Sequence, residues 1–361
     1  MAEITIRGLS KRFGKTIAVN NLSLEVNHGE FVCLLGPSGC GKTTTLRCIA
    51  GLEEPDEGEI YIGGRLVNNI PPQQRDIAMV FQFYAIYPGM TVYENLAFPL
   101  RMKKYSKNEI RNKVIETAKL LQIEHLLDKD AISLHSSEKQ RVALGRALVR
   151  EPEVLLLDEP LSNLDAKLRE LMRSELKELQ RRLKITTIMV THDQLEAMSM
   201  ADRIAVMKDG KLQQYDAPEN IYKKPKNLFV AEFIGSPSIN LIEGTIHLLE
   251  EKIIFEKDTL KLNITEKKNI FKEYIPEKIV LGIRPTEVLI SKEYMEGWLE
   301  GEVALVELMG DEQLLHISIN STTITALISI AQKINIGEKV FINFKEDGLY
   351  IFNSITGSLI V

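Results

Sequence analysis

Apolar positions in the first two thirds of the chain alternate between two textures. Short, largely apolar runs occur at Phe31–Leu35, Ile77–Phe81, Val154–Leu157, Thr186–Val190 and Ile204–Met207. Unbroken runs of this length suit strands buried on both faces, as in a sheet covered by helices. Between them the spacing becomes helical. Leu164, Leu168, Leu171, Met172, Leu176, Leu179 and Leu183 fall on one stripe and predict an amphipathic helix over Leu164–Leu183. Lys42–Ala50 has helical character. Residues 90–150 hold several helical stretches and no good strand, which predicts a helical insertion between two sheet strands.

The texture changes after Gly235. Gly235-Ser236-Pro237-Ser238 reads as a linker. Beyond it come Ile253–Phe255, Ile279–Ile283, Gly301–Leu308, Leu314–Ile319, Thr323–Ile328, Val340–Phe344 and Leu349–Phe352, each a short β-type run bounded by turn residues. Strands this short and frequent predict a small barrel or sandwich. The expected organisation is therefore an α/β domain over 1–235, with a helical subdomain at about 90–150, and an all-β domain over 236–361. A chain of 361 residues is long enough for two cores.

Composition narrows the partners. The net charge of -5 leaves no basic excess to neutralise phosphates, so nucleic acid is not an expected partner. The three cysteines, Cys33, Cys40 and Cys48, are clustered rather than spread through the fold, which suits a reduced, cytosolic protein. No apolar stretch reaches the ~18 residues of a membrane span, and no leader is expected from Met1-Ala2-Glu3-Ile4-Thr5. Any service to a membrane is expected to be peripheral.

One segment carries recognisable chemistry. Gly36-Pro37-Ser38-Gly39-Cys40-Gly41-Lys42-Thr43 follows an apolar strand and opens a helix, the context that a phosphate-binding loop requires. Its backbone N–H groups and the helix N-terminus favour a polyphosphate. Lys42 is placed to reach the β- and γ-phosphates, and Thr43, followed by Thr44, to offer a hydroxyl to Mg²⁺. Asp158 and Glu159 end the run Val154–Leu157. Asp158 is the candidate for orienting Mg²⁺ and Glu159 the candidate general base for an attacking water. His192, after the strand Thr186–Val190, is expected at an adjacent sheet edge, where its imidazole can hold the γ-phosphate. Gln82 is a candidate for the Mg²⁺ or water shell. Phe13 suits adenine stacking or the core equally well.

These motifs, in this order, resemble the ABC ATPase family, and the resemblance spans the chain. Gln82 with the residues to Val92 resembles the Q-loop, Asp158-Glu159-Pro160 Walker B, Ser162-Asn163-Leu164-Asp165 the D-loop, and His192 the switch histidine. Gly282-Ile283-Arg284-Pro285-Thr286-Glu287 and Val306-Glu307-Leu308-Met309-Gly310 resemble segments of the carbohydrate-importer subfamily, the maltose and multiple-sugar type, whose C-terminal domain is an OB-like barrel used in dimer contact and regulation. The resemblance implies a P-loop NTPase fold followed by that barrel, with ATP and Mg²⁺ as ligands and ATP hydrolysis driving an importer. It also implies two ATPs between two such subunits, each held by the phosphate loop of one chain and the signature of the other. The Q-loop region, with Tyr87–Pro99, would dock on a coupling helix of a membrane subunit, one of two transmembrane permease subunits, at the cytoplasmic face of the membrane. An extracytoplasmic solute-binding protein would take part indirectly.

One motif departs from the family. Where the signature reads Leu-Ser-Gly-Gly-Gln, this chain has Leu134-His135-Ser136-Ser137-Glu138; Lys139-Gln140-Arg141-Val142 then continues the expected helix. An imidazole replaces the hydroxyl that would meet the partner's γ-phosphate. Two glycines that permit close backbone approach gain side chains. A glutamine becomes a carboxylate, which repels a phosphate by about 1 to 4 kcal/mol at ~4 Å depending on screening. Three readings stay open: a homodimer with slow or unusual ATPase activity, a heterodimer with another ATPase subunit, and an altered chain that does not hydrolyse ATP; beside them stands a regulatory module that uses ATP as a dimerisation switch and hydrolyses little. Cys40, at the start of the helix, is either a thiol activated by the helix dipole or an inert filler.

Overall fold

In a computed structural model of the chain, residues 2–249, 252–258, 260–264 and 278–360 are described. Two compact units divide at Pro218/Glu219. Among the described residues, the first unit contains β1 (Ile4–Phe13), β2 (Thr16–Val26), β3 (Phe31–Leu35), α1 (Lys42–Ala50), β4 (Glu57–Ile62), β5 (Arg65–Leu66), β6 (Ile77–Val80), α2 (Val92–Met102), α3 (Lys107–Leu120), α4 (Ser136–Leu148), β7 (Val154–Asp158), α5 (Ala166–Leu183), β8 (Thr186–Thr191), α6 (Gln194–Met200), β9 (Arg203–Lys208) and β10 (Lys211–Asp216).

The apolar runs form one sheet in the order β10-β9-β3-β8-β7-β6. The pairs β9–β3, β3–β8, β8–β7 and β7–β6 are parallel, and β10 joins antiparallel at the edge. Every residue of β3, β7 and β8 is buried, as expected for strands covered on both faces. A second, antiparallel sheet, β2-β1-β4-β5, shares a core with the first. The sequence reading did not anticipate it. In β1, Ile4, Ile6 and Leu9 are buried, but three register shifts against β2 break the alternation that marks a half-buried strand.

The helices start where side chains satisfy their free N–H groups. Thr91 and Glu94 form a reciprocal capping box on α2, and Ser106 and Glu109 one on α3. Asp165 caps α5, so this helix begins at Ala166 rather than at Leu164. Its stripe is also narrower than expected, because Leu171 and Leu183 are exposed while Met172 and Leu176 are buried. Residues 90–150 contain α2, α3 and α4 and no named strand, in agreement with the helical insertion.

The second unit begins with α7 (Pro218–Lys223) and α8 (Leu228–Phe233) and continues with ten strands: β11 (Asn240–Leu249), β12 (Lys252–Lys257), β13 (Leu260–Asn263), β14 (Lys278–Ile283), β15 (Val288–Ser291), β16 (Leu299–Met309), β17 (Glu312–Ile319), β18 (Thr322–Ser329), β19 (Lys339–Phe344) and β20 (Leu349–Asn353). They form two antiparallel five-stranded sheets, β13-β12-β11-β14-β20 and β15-β19-β16-β17-β18, which enclose one apolar core. The segment 219–235 groups with these sheets through Arg284. This fully buried side chain donates from Nη1 to Ile234 O at 2.6 Å and from Nη2 to Tyr222 O at 2.8 Å. Its guanidinium carbon lies 3.9 Å from the Tyr222 ring centroid.

Candidate nucleotide site

The loop Gly36–Gly41 connects β3 to α1, and two of its glycines leave no room for a side chain. A Cβ on Gly36 would lie 2.3 Å from Met207 O, and one on Gly41 would lie 2.2 Å from Ala18 O. Gly41 also has φ +101°, a conformation costly to any other residue. Neighbouring backbone therefore fixes the loop from behind, and α1 presents its N-terminus with no acidic residue in its first turn. Lys42 is 4% exposed, and its ammonium donates to Gly36 O at 2.8 Å and Pro37 O at 2.9 Å. The cation lies folded inside the curl of the loop, a fit for a polyphosphate in that cradle.

Parallel strands bring the other groups to the same edge. β7 ends in Asp158, which accepts a hydrogen bond from the Thr43 hydroxyl at 3.1 Å. Burial pushes the Asp158 carboxyl above its ordinary range, against the lowering influence of the Thr43 hydroxyl and of Arg47. A hydroxyl and a carboxylate side by side are a hard-oxygen donor pair suited to Mg²⁺. Glu159 follows with φ +46°, an unusual conformation for a residue with a side chain, and its N–H is held by Val190 O at 3.0 Å. Its Oε2 lies 3.2 Å from Gln82 Nε2, a donor, and 3.3 Å from His192 Nδ1. Gln82, Glu159 and His192, distant in sequence, thus converge on one oxygen.

Two further residues brace this cluster. Ser162 Oγ donates to Glu159 O at 2.9 Å and lies 3.4 Å from the Gln82 amide, while Asn163 Nδ2 donates to Gln82 O at 2.8 Å. The sequence reading placed both in a recognisable segment but assigned neither to the site; only the three-dimensional return of the chain past Gln82 reveals the contact. The turn before α6 is fixed by buried Glu196, which accepts from the Thr191 hydroxyl at 2.6 Å.

Other candidates are placed differently. Phe13, at the end of β1, is 48% exposed, which removes the core alternative, and Lys11 Nζ lies 5.3 Å from its ring centroid. Cys40 is buried, and burial raises its thiol pKa despite nearby Lys42, so the expectation of a dipole-activated thiol is not met. Ser38, Gly39 and Thr44 lie in the loop and the first turn of α1. His135, Ser136, Ser137 and Glu138 form the N-terminus of α4. There the His135 N–H donates to the Glu138 carboxylate at 2.9 Å. Among the described residues, no hydrogen bond or ion pair joins 135–138 to 36–43.

Known proteins resemble this chain along its whole length. Residues 19–162 match the family model described as ABC transporter, residues 235–288 that of the MalK OB fold domain, and residues 281–352 that of the TOBE domain. The trehalose/maltose import ATP-binding protein MalK of Thermococcus litoralis is 47% identical over 375 residues, covering 100% of both chains. The chain belongs to the ABC transporter ATP-binding family. The oligosaccharides import ATP-binding protein MsmX of Bacillus subtilis is 43% identical, covering 99% of each chain. A solved dimeric ATP-binding cassette, in a post-hydrolysis state bound to ADP and Pi, has a TM-score of 0.54 at 33% identity; it matches 60% of this chain and 98% of its own length. As an ABC ATPase the chain unites the α/β P-loop fold with an OB-type β domain, and among its described residues no helix is long and apolar enough to cross a membrane.

Proposed function

We propose that the chain binds and hydrolyses MgATP to energise import of a sugar-type solute, as a peripheral subunit on the cytoplasmic side of two transmembrane permease subunits. The observation that carries the reading is the convergence of Gln82 and His192 on Glu159, next to the Thr43–Asp158 pair and the Lys42 cradle. Full-length likeness to import subunits supports the solute class. In this reading Gly36–Thr44 hold the phosphates through backbone N–H groups and Lys42, and Phe13 stacks on the adenine. Thr43, Asp158 and Gln82 hold Mg²⁺, which neutralises phosphate charge when bound. Glu159 accepts the proton of the attacking water. Gln82 and His192 fix the orientation of its carboxylate, and Ser162 and Asn163 fix Gln82.

A groove of about 780 Å³ supports docking on the permease. It is lined by Phe81, Tyr84, Tyr87, Phe98, Met102 and Arg146 among others. Arg146 braces its wall, donating to Ala85 O and stacking 4.0 Å from the Tyr87 ring centroid. We further assign nucleotide hydrolysis to the α/β unit that holds the site and a regulatory role to the β domain, and infer a homodimer in which His135–Glu138 face the partner's nucleotide. The reading as a purely regulatory ATP switch gains no support from relatives whose names all describe transport subunits. The test is co-purification with two multi-spanning membrane proteins and ATP-dependent uptake of labelled maltose or xylose by the reconstituted assembly. A purified chain that neither hydrolyses ATP nor associates with such proteins overturns the proposal.

A further inference from the structure

Directly behind the proposed catalytic cluster lies a cavity that the ATPase reading does not use. It has a volume of about 110 Å³ and sits among α3, α4, α5 and the ends of β6 and β7. Most of its wall is apolar, with Leu121, Leu144, Leu157, Met172 and Leu176 among the lining side chains. Val80, two residues before Gln82, and Pro160, the residue after Glu159, also line it.

Polar and charged side chains, Gln122, Arg141, Glu175, Glu178 and Arg182, make up the rest of the wall, together with one buried amide. Gln140 on α4 is 3% exposed, lines the cavity, and has an Oε1 with no hydrogen-bond partner. A buried amide oxygen without a donor loses a full hydrogen bond relative to water, so it is retained where something satisfies it. Two of the charged neighbours are engaged with each other: Arg141 donates to Leu121 O at 2.9 Å and to Glu175 at 2.7 Å, and the Gln140 oxygen stays an unmatched acceptor.

We infer that this cavity is a regulatory binding site for a compact, ring-sized apolar molecule carrying one hydrogen-bond donor, such as a phenol, with the donor meeting Gln140 Oε1. The volume is of the order that takes a single ring: an engineered apolar cavity of ~150 Å³ accepts benzene. The placement gives the site its consequence. An occupant presses on Pro160 and Val80, which anchor the two strand ends that deliver Glu159 and Gln82, so binding alters turnover without touching nucleotide.

The binding test stands apart from the ATPase reading. The full chain is titrated with phenol and with toluene, which has nearly the same shape and no donor, and binding is followed by thermal shift and ligand-observed NMR. Saturable binding of phenol is expected, about fivefold tighter than toluene, the worth of one net hydrogen bond. Gln140→Met should abolish that preference while keeping toluene binding. Leu179, a half-buried residue of α5, also lines the cavity, and Leu179→Trp, which adds bulk there, should abolish both. Absence of saturable binding, equal affinity of the two probes, or signals unchanged in a folded Leu179→Trp protein would overturn the inference. If phenol binds as described and ATP turnover stays constant, the regulatory part is overturned while the site stands.

Discussion

Helices α1 and α4 both present an N-terminus, and the two ends are treated in opposite ways. At α1 the first turn carries no acid, the preceding loop is moulded by glycines, and the Lys42 ammonium folds back into that loop. At α4 the first turn carries Glu138, whose carboxylate already accepts the His135 N–H. A helix N-terminus attracts an anion through unsatisfied N–H groups and partial positive charge. The first end keeps that capacity for a ligand; the second meets part of it from within. The chain is thus better equipped to bind its own nucleotide than to complete a partner's site.

Four single substitutions and one segment replacement sharpen or break that contrast. Glu159→Gln removes the candidate base while keeping its hydrogen bonds, and turnover should fall by roughly 10² to 10⁴-fold with ATP binding retained; a near-normal rate would show that the base lies elsewhere. Lys42→Ala empties the cradle of its cation and should weaken ATP by about 30-fold or more, as measured by calorimetry. Glu138→Gln lifts the carboxylate from α4, and restoring Ser-Gly-Gly-Gln at 135–138 goes further. Steady-state turnover should rise by about fivefold, the low end of the repulsion between like charges. No gain from the full restoration would mean that this segment does not limit catalysis. Asp158→Asn should produce the smallest change in fold and the clearest change in pH dependence. Because burial raises the folded-state pKa of Asp158, its neutral form contributes stability that is present at acid pH and lost as pH rises through that value. The Asn variant should therefore flatten the alkaline side of that limb in denaturation measured without nucleotide, and should lose Mg²⁺-dependent turnover.

The parts of this site visible in the sequence share a physical cause. The apolar runs of β3, β7 and β8 are continuous because both faces are buried, so each announces where its strand ends and which residue follows it. The loop glycines are legible for a similar reason, since adjacent backbone excludes a Cβ. The strands of the β domain were largely foreseen, but β11, β13 and β15 were not. Asn240–Leu249 carries Glu243, Gly244 and His247 within its apolar pattern, which blurs its periodicity. Ser162 and Asn163 escaped assignment because their partner, Gln82, is some eighty positions away. The self-cap at Glu138 is legible only in the fold, where this carboxylate accepts the His135 N–H.

Arg284 has a consequence for anyone who would isolate the β domain as a fragment. The linker-like Gly235-Ser236-Pro237-Ser238 invites a cut there. Such a cut discards the carbonyl oxygens of Tyr222 and Ile234 and the Tyr222 ring, leaving a fully enclosed guanidinium with no acceptors of its own making. A gene fragment opening at Glu219 keeps them. The hinge visible in the letters and the seam along which the molecule can be divided are therefore two different places.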